Sequence, residues 1–148
     1  MGWRPKFSPD GKWIAFSRLT GSDDVTAAFG AGQIFVVSSE GGEPRRIQPA
    51  FPFARYPVWA PDGKHLLFIG TRTDGSNDWW VTGLEDGKLV RTHATDSLTG
   101  QLRSIGMPEQ WRGERVFFSA AEEAHPHIWE LPISLSSWQI TGPPKRLT

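Results

Sequence analysis

The chain contains short apolar runs, each bounded by turn-forming residues. The runs WIAF at 13–16, LLFI at 66–69 and VFF at 116–118 are rich in aromatic and branched side chains. No stretch repeats its apolar residues at helical spacing over a useful length, whereas short runs of this composition between Gly and Pro are typical of β-strands. The pattern therefore predicts an all-β protein with essentially no helix.

These runs belong to a longer phrase that occurs three times. FSPDGKWIAFS begins at residue 7, WAPDGKHLLFI at residue 59 and the shorter WRGERVFFSA at residue 111. The third copy lacks the Pro-Asp pair of the other two. Regular spacing of this kind indicates a repeat architecture, in which each copy is one supersecondary unit.

A second phrase follows each copy and contains an apolar strand, a turn and a closing strand. Its three versions are QIFVVSSEGGEPRRIQ (33–48), DWWVTGLEDGKLVRT (78–92) and HIWELPISLSSWQITGPPKRLT (127–148). With the short extended piece that precedes the main run, each copy offers four antiparallel strands, A to D. The segments between strands B and C differ in length between copies, so we expect irregular loops there.

The Pro-Asp-Gly triplets predict tight hairpins between strands A and B. Pro sets φ for the first central position, Asp bonds the backbone beyond it, and Gly accepts a positive φ. A structural role in the turn is therefore favoured over a catalytic or metal-binding role for both aspartates. The turn residues are Pro9, Asp10 and Gly11 in the first copy and Pro61, Asp62 and Gly63 in the second.

The apolar run at 66–69 has no polar residue, and the run at 116–118 is similar. A strand of this kind is covered on both faces. Most of the aromatic residues fall at equivalent points of the repeat, which predicts that they pack between strands and between copies. We expect the core to include Trp13, Phe16, Trp59, Phe68, Trp80, Phe118 and Trp129.

Composition narrows the functional classes. Apolar residues make up 38% and charged residues 22% of the chain, and Lys plus Arg equals Asp plus Glu at 16 each. The absence of a basic excess argues against binding of nucleic acid or of an anionic membrane. No signal peptide or apolar stretch of the about 20 residues needed to span a bilayer is recognisable. Cysteine is absent as well, so the compartment is left open.

The features of the repeat come in this order: the motif W-x-P-D-G-K, an apolar strand, an aromatic-rich strand, a Glu-Gly-Gly turn and a closing Arg-Leu-Thr. This order resembles the TolB-like, WD-type β-propeller repeat. This family includes the propeller domains of prolyl-oligopeptidase-type peptidases. The third copy resembles the terminal blades of bacterial regulators in which a TolB-like propeller follows a winged-helix or protein kinase domain.

The resemblance implies an all-β fold with three four-stranded antiparallel propeller blades, at about 1–48, 53–92 and 105–148. Propellers typically close with about four to eight blades. Three blades are thus expected to form a partial or half propeller. The remaining blades of a longer chain could complete it. A second copy of this chain could also do so, and the product would then be a homodimer with a six-bladed ring.

The sequence has no G-x-S-x-G nucleophile elbow and no phosphate-binding glycine motif. The pair His125 and His127 lacks a third zinc ligand nearby. The acidic clusters at 23–24 and 74–78 lack the order of a calcium loop. The expectation is a protein that is not an enzyme and that uses neither a cofactor nor a metal.

The leading interpretation is a binding scaffold for a protein or peptide, as a sensor or interaction module of a larger bacterial protein. The alternative is a substrate-gating propeller portion of a prolyl-oligopeptidase-type serine peptidase. Binding is expected on the face formed by the B–C and D–A loops, because these vary while the opposite turns are uniform. The candidate residues are Arg55, Tyr56, Asp74, Asn77, Arg103, Met107 and His125.

Overall fold

The computed structural model describes residues 2–19, 32–102, 104–122 and 125–148, and these residues form three β-sheets and one short helix. The first sheet contains β1 (Gly2–Phe7), β2 (Trp13–Leu19), β3 (Gly32–Ser38) and β4 (Arg45–Ile47). The second contains β5 (Phe53–Trp59), β6 (His65–Thr71), β7 (Asn77–Gly83) and β8 (Leu89–Arg91). Helix α1 (Ala94–Leu98) leads to the third sheet, with β9 (Met107–Arg112), β10 (Arg115–Glu122), β11 (His125–Pro132) and β12 (Lys145–Arg146).

Each sheet is a four-stranded antiparallel meander in which the strands lie in chain order. The sheets, called blades 1 to 3 below, stand side by side. Among the described residues, the first strand of blade 2 contacts the first strands of both neighbours, whereas β4, β8 and β12 do not contact one another. The first strands therefore line the inner edge of an arc, and the last strands lie on its outer edge.

Blade 2 is covered on both faces by its neighbours. Five consecutive residues of β6 are buried, as are the last six of β7. Alternate residues of these strands belong to two different apolar clusters, one against blade 1 and one against blade 3. This arrangement confirms that the unbroken apolar run at 66–69 is a strand with two covered faces. In β10 only alternate residues are buried, since Phe117 is only half-buried.

The Pro-Asp-Gly turns are closed by their aspartates. The Oδ1 atom of Asp10 accepts hydrogen bonds from the Ser8 hydroxyl (2.6 Å) and the Lys12 amide (3.1 Å). Oδ1 of Asp62 accepts from the amide of Lys64 at 2.8 Å. Hydrogen bonding by the Ser8 side chain and the Lys12 amide lowers the pKa of Asp10. At Asp62 burial acts to raise the pKa, but its hydrogen bonds outweigh burial and lower it.

Trp13 is 45% exposed, so the expectation that it is buried is wrong. The corresponding residue of blade 2 is His65, whose ring packs against Trp138 at a tilt of 38° and a centroid distance of 4.5 Å. Trp138 belongs to the long connection between β11 and β12. Blade 2 has only the short turn at 84–88 in that place, without an aromatic residue, so it cannot cover Trp13 in the same way. Phe16 is half-buried rather than part of the core.

Helix α1 was not expected, because the sequence predicted essentially no helix. It joins blade 2 to blade 3, and its residues Ala94 and Leu98 are buried in the cluster between these two blades. No helix among the described residues is both long and apolar enough to cross a membrane.

Candidate functional site

The inner strands of blades 1 and 2 each contain an irregular step at the same point of the repeat. The register of β1 shifts between Trp3 and Lys6, and that of β5 between Arg55 and Val58. Arg4 and Tyr56 lie at these steps with φ angles of 53° and 56°. A positive φ is uncommon for residues other than Gly, and a β-bulge re-aims the side chain that it carries. The steps therefore set the direction of Arg4 and Tyr56.

Tyr56 is contacted by two arginines. The guanidinium carbon of Arg4 lies 5.4 Å from the centre of the Tyr56 ring, and that of Arg55 lies 5.9 Å from it. Both distances are within the range of a cation–π interaction. The stem of Arg55 packs so closely on Gly32 that a Cβ atom there would overlap it. Arg55 is thus held by a ring and by a backbone surface.

A cavity of about 420 Å³ opens beside Arg55 and Tyr56, between blades 2 and 3. Its lining is mainly apolar, and it lies at the end of the blades where the B–C and D–A connections meet. Ligand sites are commonly concave and apolar with a few placed polar groups. The residues that line the cavity are Arg55, Tyr56, Ile69, Asn77, Ser104, Ile105, Gly106, Met107, Ser119, Ala120, Ala121 and Pro126.

The wall formed by residues 104–107 is fixed by blade 2. The indole nitrogen of Trp79 donates a hydrogen bond of 2.9 Å to the carbonyl of Ile105. Gly106 has a φ of 64°, and a Cβ atom at this position would overlap the ring of Phe118. Glycine is therefore required here both by the backbone conformation and by the close approach of the ring.

Asp78 anchors the segment that leads to this wall. Its carboxylate is fully buried and accepts hydrogen bonds from the Arg91 side chain (2.7 Å), the Trp79 amide (2.8 Å) and the Thr95 amide (3.0 Å). The hydrogen bond from Arg91 to this carboxylate raises the pKa of Arg91. The amide of Thr95 lies in α1, so Asp78 ties the helix to β7.

The structure brings four of the predicted site residues together, since Arg55, Tyr56, Asn77 and Met107 all line the cavity. Asp74 is outside it, in an exposed turn where the Ser76 hydroxyl and amide bond its carboxylate and lower its pKa. His125 is exposed at the start of β11 and does not line the cavity. Arg103 lies outside the described residues.

Sequence reasoning missed the apolar part of the lining. Ile69 ends its apolar run and Ala120 follows shortly after the run at 116–118, and nothing in these segments distinguishes the two residues from residues of the core. Gly106 gave a signal for this part of the lining, because an isolated glycine next to a strand indicates a turn or a close contact.

A second cavity, of about 790 Å³, lies at the opposite end of the inner strands. Lys6, Trp59 and Trp111 are among its lining residues. Glu109 also lines it and forms ion pairs with Arg4 and with Lys6, the latter at 3.4 Å. These pairs join blade 1 to blade 3. Within the part of the chain that the structure describes, no three acidic or imidazole side chains are grouped as metal ligands.

No protein-family model matches the chain. Its curated relatives include an uncharacterized protein of Agrobacterium fabrum, 30% identical over 130 residues. Dipeptidyl-peptidase 5 of Porphyromonas gingivalis is 33% identical over 89 residues, and the uncharacterized peptidase YuxL of Bacillus subtilis is 32% identical over 73. These matches cover 88%, 57% and 49% of this chain, but only 40%, 12% and 10% of the three relatives.

Solved structures match the arc over nearly its whole length. A TolB-like protein from Agrobacterium tumefaciens superposes with a TM-score of 0.59 at 23% identity, over 96% of this chain and 44% of that one. TolB from Acinetobacter baumannii gives a TM-score of 0.65 at 19% identity, over 100% of this chain and 32% of that one. The chain has the TolB-like β-propeller fold.

The same arc also superposes on an acylaminoacyl peptidase of Pyrococcus horikoshii, with a TM-score of 0.62 at 13% identity, over 99% of this chain and 25% of that one. The TolB-like fold is thus present both in TolB proteins and in a protein named as a peptidase. The predicted partial propeller is confirmed, whereas the WD-type character of its repeat stays a prediction. Because one fold serves different functions, the function must be argued from the site.

Proposed function

We propose that this TolB-like propeller segment is a non-enzymatic scaffold that binds a peptide or an extended protein segment at the cavity between blades 2 and 3. The observation that carries the proposal is the convergence of Arg55, Tyr56, Asn77 and Met107 on one apolar cavity. Arginine and aromatic residues are enriched at protein interfaces, and methionine adapts to varied partners.

The geometry favours an extended ligand. The cavity of about 420 Å³ is open and has room for one or two side chains rather than for a folded partner. Its wall is rigid, because the Trp79 hydrogen bond and the Asp78 network hold the segment 104–107 and the start of α1. A preformed site loses little conformational entropy on binding.

The alternative function is the gating portion of a serine peptidase. Partial sequence matches to dipeptidyl-peptidase 5 and peptidase YuxL support it. This chain contains no G-x-S-x-G motif. A hydrolase domain would therefore have to come from another part of a longer protein, and the same cavity would then meet a peptide on its way to that domain.

A peptide array tests the proposal. The labelled chain is applied to an array of short extended peptides, together with a variant that combines Tyr56→Ala and Met107→Ala. Lys64→Ser, in the exposed turn at the opposite end of blade 2, is the control. We expect binding by the wild type and by Lys64→Ser but not by the double variant. Equal binding by all three would contradict a site at this cavity.

Completion of the ring is the second part of the proposal. Phe7, Ile14, Phe16 and Phe35 of blade 1 correspond to four residues that are buried in blade 2, namely Trp59, Leu66, Phe68 and Trp80. In blade 1 these positions are exposed or half-buried, and Phe7 is 64% exposed. The open face of blade 1 is thus an apolar blade-contact surface that needs a cover.

Either the remaining blades of a longer protein or a second copy of this chain provides the cover. The open face of blade 3 has Ile128, which is 50% exposed, and the ion pair between Arg115 and Glu130 at 3.1 Å. Light scattering tests the second copy: a stable dimer that Phe35→Glu dissociates supports it. A wild-type chain that aggregates supports missing blades instead. A monomer that stays folded and soluble at high concentration contradicts the need for a cover.

A further inference from the structure

The inner strands carry a net positive charge, whereas the whole chain is neutral. β1, β5 and β9 together contain four basic residues, Arg4, Lys6, Arg55 and Arg112, and one acidic residue, Glu109. The chain as a whole has a formal net charge of +0. The inner wall of the arc is therefore basic, and charge of one sign along a concave wall attracts ligands of the opposite sign.

Glu109 neutralises only part of this wall. It lies in blade 3 and pairs with Arg4 and Lys6 of blade 1. The ion pairs formed among the described residues do not include Arg55. Arg55 is the basic residue of the inner strands that lines the cavity between blades 2 and 3.

Contacts with Gly32 and Tyr56 fix the position of the Arg55 guanidinium. Its stem packs on Gly32, and its guanidinium lies 5.9 Å from the centre of the Tyr56 ring. A guanidinium placed against a ring still has N–H groups along its edge to donate. Those N–H groups form a planar fork that matches the two oxygens of a carboxylate. Less side-chain entropy is lost when such a pre-positioned fork binds.

Apolar side chains line the same cavity as Arg55. Ile69, Ile105, Met107 and Ala120 are among them. In an extended peptide, successive side chains point to opposite faces, whereas side chains two residues apart lie on the same face, about 7 Å apart, so one can enter the cavity while the other reaches its rim. We infer that the site takes an extended peptide in which a carboxylate, bound by Arg55, lies two residues from an apolar side chain bound in the cavity. This inference rests on the proposed function and adds the chemical class of the ligand.

Binding of matched fluorescent peptides tests the inference by anisotropy. The reference peptide, called the Leu-Glu peptide, contains Leu-Ala-Glu in a neutral background and has an amidated C-terminus. A second peptide, called the Leu-Gln peptide, contains Leu-Ala-Gln and is also amidated, and a third ends in Leu-Ala-Gln with a free C-terminal carboxylate. The third peptide distinguishes a side-chain carboxylate from a terminal one. Each is measured with the wild type, with Arg55→Gln and with Arg112→Gln, the matched control on β9.

We expect the Leu-Glu peptide to bind about tenfold or more tightly than the amidated Leu-Gln peptide, because a hydrogen bond to a charged group is lost. Arg55→Gln should remove that preference, and Arg112→Gln should keep it. The preference should also shrink as salt is added. Tight binding of the free-terminus peptide together with weak binding of the Leu-Glu peptide would assign the carboxylate to a chain end.

Two further results would count against the account. If the two amidated peptides bind the wild type equally, and Arg55→Gln changes neither, the carboxylate inference is overturned while the peptide-binding function stands. If none of the three peptides binds the wild type, and the array is also negative, the proposed function itself fails.

Discussion

The indole N–H of Trp79 donates a 2.9 Å hydrogen bond to the backbone carbonyl of Ile105, and so joins the centre of blade 2 to the wall of the candidate site in blade 3. Trp79 also packs edge-on against Phe118 at a centroid distance of 5.4 Å. One buried side chain thus links the core between two blades to the segment that borders the cavity.

Trp79→Phe should loosen this wall. The substitution keeps most of the ring but removes the N–H group, so it leaves a carbonyl unpaired and should cost about 1 to 3 kcal/mol of stability. Hydrogen exchange of residues 104–107 should become faster. Trp80→Phe is the control, because the Trp80 indole donates its own 2.9 Å bond to the carbonyl of Gly70. Faster exchange of 104–107 in both variants would contradict a local role for Trp79.

Asp78→Asn should lower both stability and the order of α1. The substitution removes the charge that Arg91 pairs with, and hydrogen bonds to charged groups contribute about 1.5 to 3 kcal/mol each. Asp96→Asn is the control in the same helix, because Asp96 is exposed and pairs only with His93 among the described residues. Urea denaturation should show a clear loss for the first variant and little for the second. Equal losses would show that the buried network is not what holds the helix.

Phe68→Ala and Phe16→Ala compare equivalent positions of blades 2 and 1. Phe68 is fully buried, so its truncation should cost about 3 to 5 kcal/mol. Phe16 stacks on Phe35 but is only half-buried, so its truncation should cost less than about 2 kcal/mol. Denaturant unfolding gives both values. A loss below about 1 kcal/mol for Phe68→Ala would mean that β6 is wrongly aligned.

Acidification should weaken the turns. The pKa values of Asp10, Asp62 and Asp74 are all lowered from the usual 3.8. A carboxylate with a lowered folded-state pKa stabilises the fold fully above its unfolded pKa. That contribution is lost as the pH falls below about 4 and through the folded value. The urea midpoint should therefore decrease below about pH 4, and less so in a variant with Asn at all three positions. An identical decrease in both proteins would assign the acid effect to other groups.

The repeat made much of this fold predictable. The run at 66–69 has no polar residue, and its strand is buried between two blades. Trp13 looked equivalent to a core position, yet its burial depends on the length of a connection in the next blade. Local sequence carries no such information, because the covering residue in the corresponding place, Trp138, is far away along the chain.

The candidate site was predictable only in part. Variable loops indicated the end of the blades at which the cavity lies, and Arg55 and Tyr56 stood out as polar and aromatic residues there. The positive φ of Tyr56 was not foreseeable, because bulges are set by the register of paired strands and a tyrosine gives no signal for one. Helix α1 was missed since five residues are too few for a clear helical period.

The most direct test of the account is a hydrogen-exchange footprint of the bound Leu-Glu peptide on the chain. The account predicts protection at residues 54–57, 104–107 and 119–121, which border the cavity between blades 2 and 3, and no protection in Arg55→Gln under the same conditions. Protection confined to β4, β8 and β12, on the outer edge of the arc, would contradict it.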